Sequence, residues 1–246
     1  MSATTRVDCR KAGNALLDWL YPRECAVCGS LADPDGGHLC WECRCQLPVI
    51  QSPYCSCCGD PADGMTVVHY RCSSCVDHPP AFARARSAFR YRGGVTHLVQ
   101  ALKYGQATYL GDDLAIGLEA AWKACEAVER PDLVTCVPLH RIRFRERGYN
   151  QAALLAQAFS RRIRCDVDPH RLLRRISTPT QTRLNAAARA CNVKGAFMDR
   201  GDGWTRGRRI ILVDDVMTTG ATIRECARVL REAGAVTVWA ITVARG

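Results

Sequence analysis

Long apolar runs are missing from this 246-residue chain. Its N-terminal stretch, MSATTRVDCRKAGNALLDWLYP, holds only a short, broken apolar patch from Ala15 to Leu20, too brief for a signal-peptide core or a membrane span. An amphipathic lead-in helix over residues 1–24, no membrane span and a cytoplasmic location are therefore expected. Three familiar motifs are missing as well. GxxxxGK(S/T), GxGxxG and HExxH do not occur, so P-loop, dinucleotide-fold and zinc-protease chemistry lose their usual signatures. Aromatic residues are only 7% of the chain and few of them interleave with its arginines, so no base-stacking platform for single strands is evident.

The charge that is present is strongly positive, +10 in formal count with a pI near 9.0. Such a balance suits contact with nucleic acid, and equally a pocket that holds a polyanionic phosphate ester. Apolar residues make up 48%, enough for one good core plus a smaller module, so two domains are expected.

Sixteen cysteines without an export signal argue against disulfides, because the cytosol keeps thiols reduced. Spacing accounts for eight of them. Cys25 and Cys28, then Cys40 and Cys43, form two C-x2-C doublets; Cys55 and Cys58, then Cys72 and Cys75, repeat the pattern. A C-x2-C turn aims two thiolates at one metal, and two such turns complete the tetrahedral sulfur shell that Zn²⁺ accepts. Gly29 and Gly59 follow the first doublet of each set, where glycine relieves the crowding of a tight knuckle. Residues 25–78 thus read as a duplicated zinc ribbon with two structural Zn²⁺ sites. With sulfur in all four positions no coordination site is open for catalysis. Cys45 and Cys57 break the spacing and are left out. Interleaved pairing of the four doublets stays open on sequence grounds. The single cysteines Cys9, Cys125, Cys136, Cys165, Cys191 and Cys226 read mostly as small buried apolar residues.

The most informative stretch is Ile210 to Thr222, IILVDDVMTTGAT. Ile210 to Val213 has the continuous, β-branched pattern of a strand buried on both faces in a parallel sheet. Ile223, Ala227, Leu230 and Ala233 then recur at helical spacing, Gly234 stops the helix, and Val236 to Val243 reads as a further strand. Asp214 and Asp215 stand at the end of the first strand, where carboxylates accept from vicinal hydroxyls and help place Mg²⁺ through its waters. Thr218, Thr219, Gly220, Ala221 and Thr222 supply backbone N–H groups and hydroxyls at a helix N-terminus, which favours a phosphate. Diol and phosphate would be read side by side.

After the linker around Pro79 and Pro80, residues 82–246 alternate in α/β rhythm. Phe82 to Tyr91 reads as a strand, Val95 to Lys103 as a helix ending in ALKYG, Leu110 to Glu126 as a longer helix, and Leu133 to Val137 as a strand. That strand runs into PLHRIRFRERGYNQ, where Arg141, Arg143, Arg145 and Arg147 surround an expected loop ending at Gly148, with a helix from about Tyr149. In a parallel sheet this loop lies beside the one after Val213, so its arginines and amides are placed to hold a pyrophosphate. A third segment, RRISTPTQTRLNAAARACNVKGAF, is polar and broken by Pro179, a mobile loop followed by a short helix.

The VDDVMTTGAT signature resembles that of type I phosphoribosyltransferases, which bind 5-phosphoribosyl-1-pyrophosphate (PRPP) with acids on the ribose hydroxyls and the turn around the 5′-phosphate. A double zinc ribbon followed by PLH…RGYNQ, T-x2-Q-x2-L-x4-R-x2-N and VDDVMTTGAT is similar to the ComF family over about residues 12–246. The resemblance implies a type I phosphoribosyltransferase-like parallel sheet flanked by helices, preceded by the double zinc ribbon. It implies Mg²⁺-dependent PRPP binding, with Asp214, Asp215 and Arg141 as catalytic residues and a link to DNA uptake or utilisation. Pro138, Leu139, His140, Arg141 and Arg147 become the pyrophosphate loop, and Thr178, Gln181, Arg189 and Asn192 a lid that excludes water. Purine salvage transferases carry an acid where this chain has Thr218, so purine salvage is disfavoured and no acceptor is declared. The competing reading is a non-catalytic adaptor for DNA uptake, contacting single-stranded DNA or DNA-uptake proteins through ribbons and basic loops, with a PRPP- or nucleotide-sensing pocket.

Overall fold

The protein is seen here as a computed structural model that describes residues 22–34, 37–64, 70–127, 129–176 and 193–246. Most of the expected lead-in helix, and the expected lid residues Thr178, Gln181, Arg189 and Asn192, lie outside the described residues. No helix among the described residues is long and apolar enough to cross a membrane.

The chain forms two compact units, residues 1–47 and 48–246. In the first, the knuckle of Cys25 to Ser30 is closed by Cys25 N–H donating to the Ser30 carbonyl at 2.6 Å and Gly29 N–H to the Cys25 carbonyl at 2.9 Å. A short helix, α1 (Trp41–Cys45), begins at Cys40, whose sulfur accepts from Cys43 N–H.

The second unit repeats the knuckle at Cys55 to Gly59, with Gly59 N–H on the Cys55 carbonyl at 2.9 Å, and a matching helix α2 (Ser73–Asp77). It continues through β1 (Arg84–Arg90), α3 (Gly94–Tyr104), α4 (Leu110–Lys123), β2 (Leu133–Cys136), α5 (Arg141–Arg147) and α6 (Gln151–Ile163). Then come β3 (Leu172–Arg174), β4 (Phe197–Asp199), β5 (Arg209–Met217), α7 (Ala221–Glu232) and β6 (Thr237–Arg245). Four strands make one parallel sheet in the order β1-β6-β5-β2, while β3 and β4 form a small antiparallel pair. The buried runs of β5 and β6 follow from helices covering both faces. One face carries α4 and α6, packed on each other and on the strands, and the other carries α7.

The second cysteine cluster belongs to that other face. Cys55, Cys57, Cys58 and Cys75 share one apolar core with Ile210, Leu212, Ile223, Leu230 and Val238. Sequence alone divides the chain between residues 78 and 82; compactness divides it after Leu47, and backbone pairing explains why. Arg90 N–H donates to the Pro48 carbonyl at 2.8 Å, Ile50 N–H to Ala88 at 3.0 Å and Ala85 N–H to Cys57 at 2.8 Å. Residues 48–57 thereby occupy the outer edge of β1. The outer edge of β2 is occupied as well, by Asp166 and Asp168 on Val134, so neither edge offers a free template for another chain.

Two local expectations change. The arginine-rich stretch after β2 is a helix, α5, because His140 Nδ1 caps it by accepting from Ile142 N–H at 3.3 Å, Arg143 pairs with Glu146 at 3.0 Å, and Gly148 closes it in the left-handed conformation. Strand β5 runs on through Met217, so the two acids lie inside it rather than at its tip.

On the α4 face, Gly117 lies against β1: a Cβ there would sit 2.6 Å from the Phe89 ring and 3.1 Å from the Ala88 Cβ. Gly117→Ala is expected to cost about 1–3 kcal/mol despite the better helix propensity of alanine. Urea unfolding of the variant checks this, and a gain in stability would contradict the packing.

Candidate phosphoribosyl site

The candidate site lies where β5 hands over to α7, at the carboxyl end of the parallel sheet. Consecutive strand residues project to opposite faces, and Asp214 and Asp215 meet different surroundings. Asp215 is buried and pairs with Lys103 from the last turn of α3, Nζ to Oδ2 2.7 Å; its Oδ1 accepts from Val216 N–H at 2.8 Å. Burial alone would lower the Lys103 ammonium, but the charge and hydrogen bond of Asp215 outweigh it and hold the group above the usual lysine value. Asp214 accepts from Asp215 N–H at 2.9 Å. Its burial, then the charge of Asp215, push its carboxyl well above the ordinary aspartate range. A buried carboxyl in this state is poised to give up its proton when hydroxyl donors or a cation arrive.

The turn follows at once. Thr218 is exposed and Thr219 half-buried, and Thr219 Oγ1 lies 3.5 Å from Ala221 N–H. Gly220 is left-handed with φ +75°, and a Cβ there would meet the Met217 Cε at 2.6 Å. The N-cap residue of α7, Gly220, has no side chain to cap the helix, which leaves the amides after Ala221 available to an anion, as a phosphate site needs. Ala221 and Thr222 form the first half-buried turn of that helix.

The expected pyrophosphate residues divide around α5. Pro138, Leu139, His140 and Arg141 line a cavity of about 590 Å³ with Tyr149 and Arg174. Arg147 instead lines a smaller cavity of about 140 Å³ with Lys103 and Tyr149, its guanidinium 5.2 Å from the Tyr104 ring centroid and bonded to Gln151. Helical geometry causes the split, since Arg141 and Arg147, six positions apart on a helix of about 3.6 residues per turn, face different ways. Sequence alone does not single out Lys103. The signal was its rarity: Lys11, Lys103, Lys123 and Lys194 are the only lysines in a chain with 34 basic residues, and one of them ends a helix in ALKYG.

The two cysteine groups resolve the pairing of doublets. Cys25, Cys28, Cys40 and Cys43 form one tetrad and Cys55, Cys58, Cys72 and Cys75 the other, the sulfurs of each within 4.8 Å of one another. The doublets pair in sequence order, and the donor set fits Zn²⁺. Among the single cysteines, Cys125, Cys136 and Cys226 are buried and Cys165 is half-buried; Cys9 and Cys191 lie outside the described residues.

Comparison with known proteins agrees with this division of labour. The double zinc ribbon domain family matches residues 16–76 and the phosphoribosyl transferase domain family residues 151–246. A DNA utilization protein, YhgH, from Shigella flexneri is 33% identical over 214 residues, covering 81% of this chain and 93% of its own. Competence protein F from Haemophilus influenzae is 31% identical over 205 residues, covering 80% and 87%. Among solved structures, the glutamine PRPP amidotransferase of B. subtilis aligns at 23% identity over 58% of this chain and 26% of that one, with a TM-score of 0.35. With its two cysteine tetrads, its parallel sheet and its matches to relatives named for DNA utilisation and competence, this chain belongs to the ComF family.

Proposed function

We propose that the chain is a Mg²⁺-dependent, PRPP-binding phosphoribosyltransferase of the cytoplasm whose acceptor is a nitrogen nucleophile of unassigned identity. The observation that carries the reading is the buried Asp214–Asp215 pair placed directly before a glycine turn and an uncapped helix N-terminus. Asp214 and Asp215 accept from the ribose hydroxyls, and the ion pair with Lys103 holds the Asp215 carboxylate in place. The amides from Thr218 to Thr222 hold the 5′-phosphate. Arg141 stabilises the charge of the departing pyrophosphate, which leaves C1 with its bonding electrons as the acceptor nitrogen bonds there. The hard carboxylate oxygens of Asp214 and Asp215 fit the waters of Mg²⁺, which when bound would offset pyrophosphate charge. Positioning and electrostatics supply the acceleration, with no side chain assigned as general base.

Calorimetric titration of PRPP with and without Mg²⁺ tests this. Binding that needs Mg²⁺ and disappears in Asp214→Asn with Asp215→Asn is the expected result, and a wild-type protein that does not bind PRPP rules the reading out.

One observation favours the adaptor reading as a second. Ile142 and Phe144 are about half exposed among the arginines of α5, an apolar and basic surface suited to a single strand or a partner protein. DNA binding that weakens with salt yet persists in the double aspartate variant would support it.

A further inference from the structure

The two cysteine tetrads are not equivalent. Cys55 and Cys75 of the second are fully buried and Cys58 nearly so, whereas Cys28 of the first is exposed. Four thiolates around one Zn²⁺ carry a net formal charge of about −2, which burial makes costly unless cations lie close. Two arginines do so at the second tetrad. Arg224 Nη2 lies 3.4 Å from Cys75 Sγ, and Arg245 Nη2 lies 3.9 Å from Cys58 Sγ.

Both arginines are also fixed to the backbone that carries the cysteines. Arg224 donates to the carbonyl of His78, just past the end of α2, at 2.5 Å and reaches the carbonyl of Ser74, in its first turn, at 3.4 Å. Arg245 donates to the Cys58 carbonyl at 3.4 Å and pairs with Asp60 at 2.9 Å. At their other ends the two residues flank the phosphate turn. Arg245 is the register partner of Met217, the last residue before the turn, and the following Gly246 N–H donates to the Met217 carbonyl at 3.1 Å. Arg224 stands in the first turn of α7, its N–H on the Gly220 carbonyl at 2.8 Å.

We infer that Arg224 and Arg245 are positioning residues that offset the charge of the second zinc–thiolate centre and, through it, hold the turn from Met217 to Ala221 in shape. Zinc in this tetrad and an anion at the turn are then coupled, each favouring the other, since such linkage is reciprocal. Outer contacts of this kind set metal affinity as well as ligand orientation. Only the anion part of the coupling rests on the phosphoribosyl reading; the link between zinc and the order of the turn stands apart from it.

The test uses the full-length, zinc-loaded chain. Release of zinc to excess chromogenic chelator is followed in the wild type, Arg224→Gln, Arg245→Gln and Arg224→Lys, and hydrogen exchange is read at residues 217–224. Two kinetic phases are expected, with each glutamine variant speeding the slower one by about tenfold and leaving the faster one unchanged. Lysine at 224 keeps the charge but loses the fork and falls in between. Loss of the slower zinc raises exchange at the turn, and loss of the faster zinc does not. Unchanged release in both glutamine variants, or a turn whose exchange ignores zinc, overturns the inference. Saturating PRPP with Mg²⁺ is expected to slow the slower phase in the wild type. PRPP that binds without slowing it refutes the coupling, whereas PRPP that fails to bind counts against the proposed function and leaves the release and exchange results to decide this one.

Discussion

Asp214→Asn is expected to raise the stability of the ligand-free protein while removing most of its affinity for PRPP. The native carboxyl is buried and faces the charge of Asp215, so its folded-state pKa lies above the unfolded value. A group shifted in this direction favours the fold below its unfolded pKa and loses that contribution as pH rises through the folded one. Asparagine keeps the oxygen that accepts from Asp215 N–H at 2.9 Å but never ionises. The gain in melting temperature should therefore be near zero at about pH 4, the ordinary aspartate range, and grow as pH rises above it. Ligand binding favours the ionised carboxylate, so wild-type affinity should rise with pH, while the variant loses on the order of 100-fold and the pH dependence with it. Paired melting curves and titrations over that rise in pH check both halves. Equal melting temperatures at every pH would mean that Asp214 is not a strained buried charge.

The second large effect comes from two glycines that occupy the same place in the repeated knuckle. Gly29 and Gly59 both have positive φ, +75° and +70°, but a Cβ on Gly29 meets nothing within 4 Å, whereas on Gly59 it sits 2.7 Å from the Ala85 carbonyl oxygen. Backbone strain alone should make Gly29→Ala cost about 1 kcal/mol. Gly59→Ala carries the same strain and must also push a backbone atom of β1, next to the bond from Ala85 N–H to the Cys57 carbonyl. A loss of about 3 kcal/mol or more is expected, together with loss of zinc from the second tetrad. Denaturant midpoints and the zinc content of the two variants give the comparison. Equal effects would show that the second knuckle does not press on the sheet.

What could be read ahead of the structure was local in kind. The C-x2-C doublets, the buried run from Ile210 to Val213 and the turn at Gly220 each declare themselves within a few residues, because metal geometry, strand burial and positive φ act at that range. The strands and helices expected at Phe82 to Tyr91, Val95 to Lys103, Leu110 to Glu126, Leu133 to Val137 and Val236 to Val243 each fall within a few residues of those bounds for the same reason. What escaped depended on contacts distant in sequence. Lys103 matters through Asp215, 112 positions later in the chain, and nothing near ALKYG announces that partner. The arginines after β2 look like an anion loop in sequence, yet a histidine cap and a terminal glycine wind them into α5, so that they face different cavities. The bonding of residues 48–57 to β1 was hidden too, since they carry no strand pattern and are ordered by the edge of that strand.

That edge pairing bears on the order in which the molecule can assemble. β1 is the first strand of the sheet to be synthesised, but its partner within the sheet is β6, the last. A parallel pairing of such separation forms late and slowly, and a domain emerging N-terminus first exposes its early strands meanwhile. Residues 48–57 are made before β1 and bond to its other side. A growing chain thus has a short-range companion for β1 long before the sheet can close, held by a tetrad complete once Cys75 is made, so metal capture can precede and guide the folding of everything that follows.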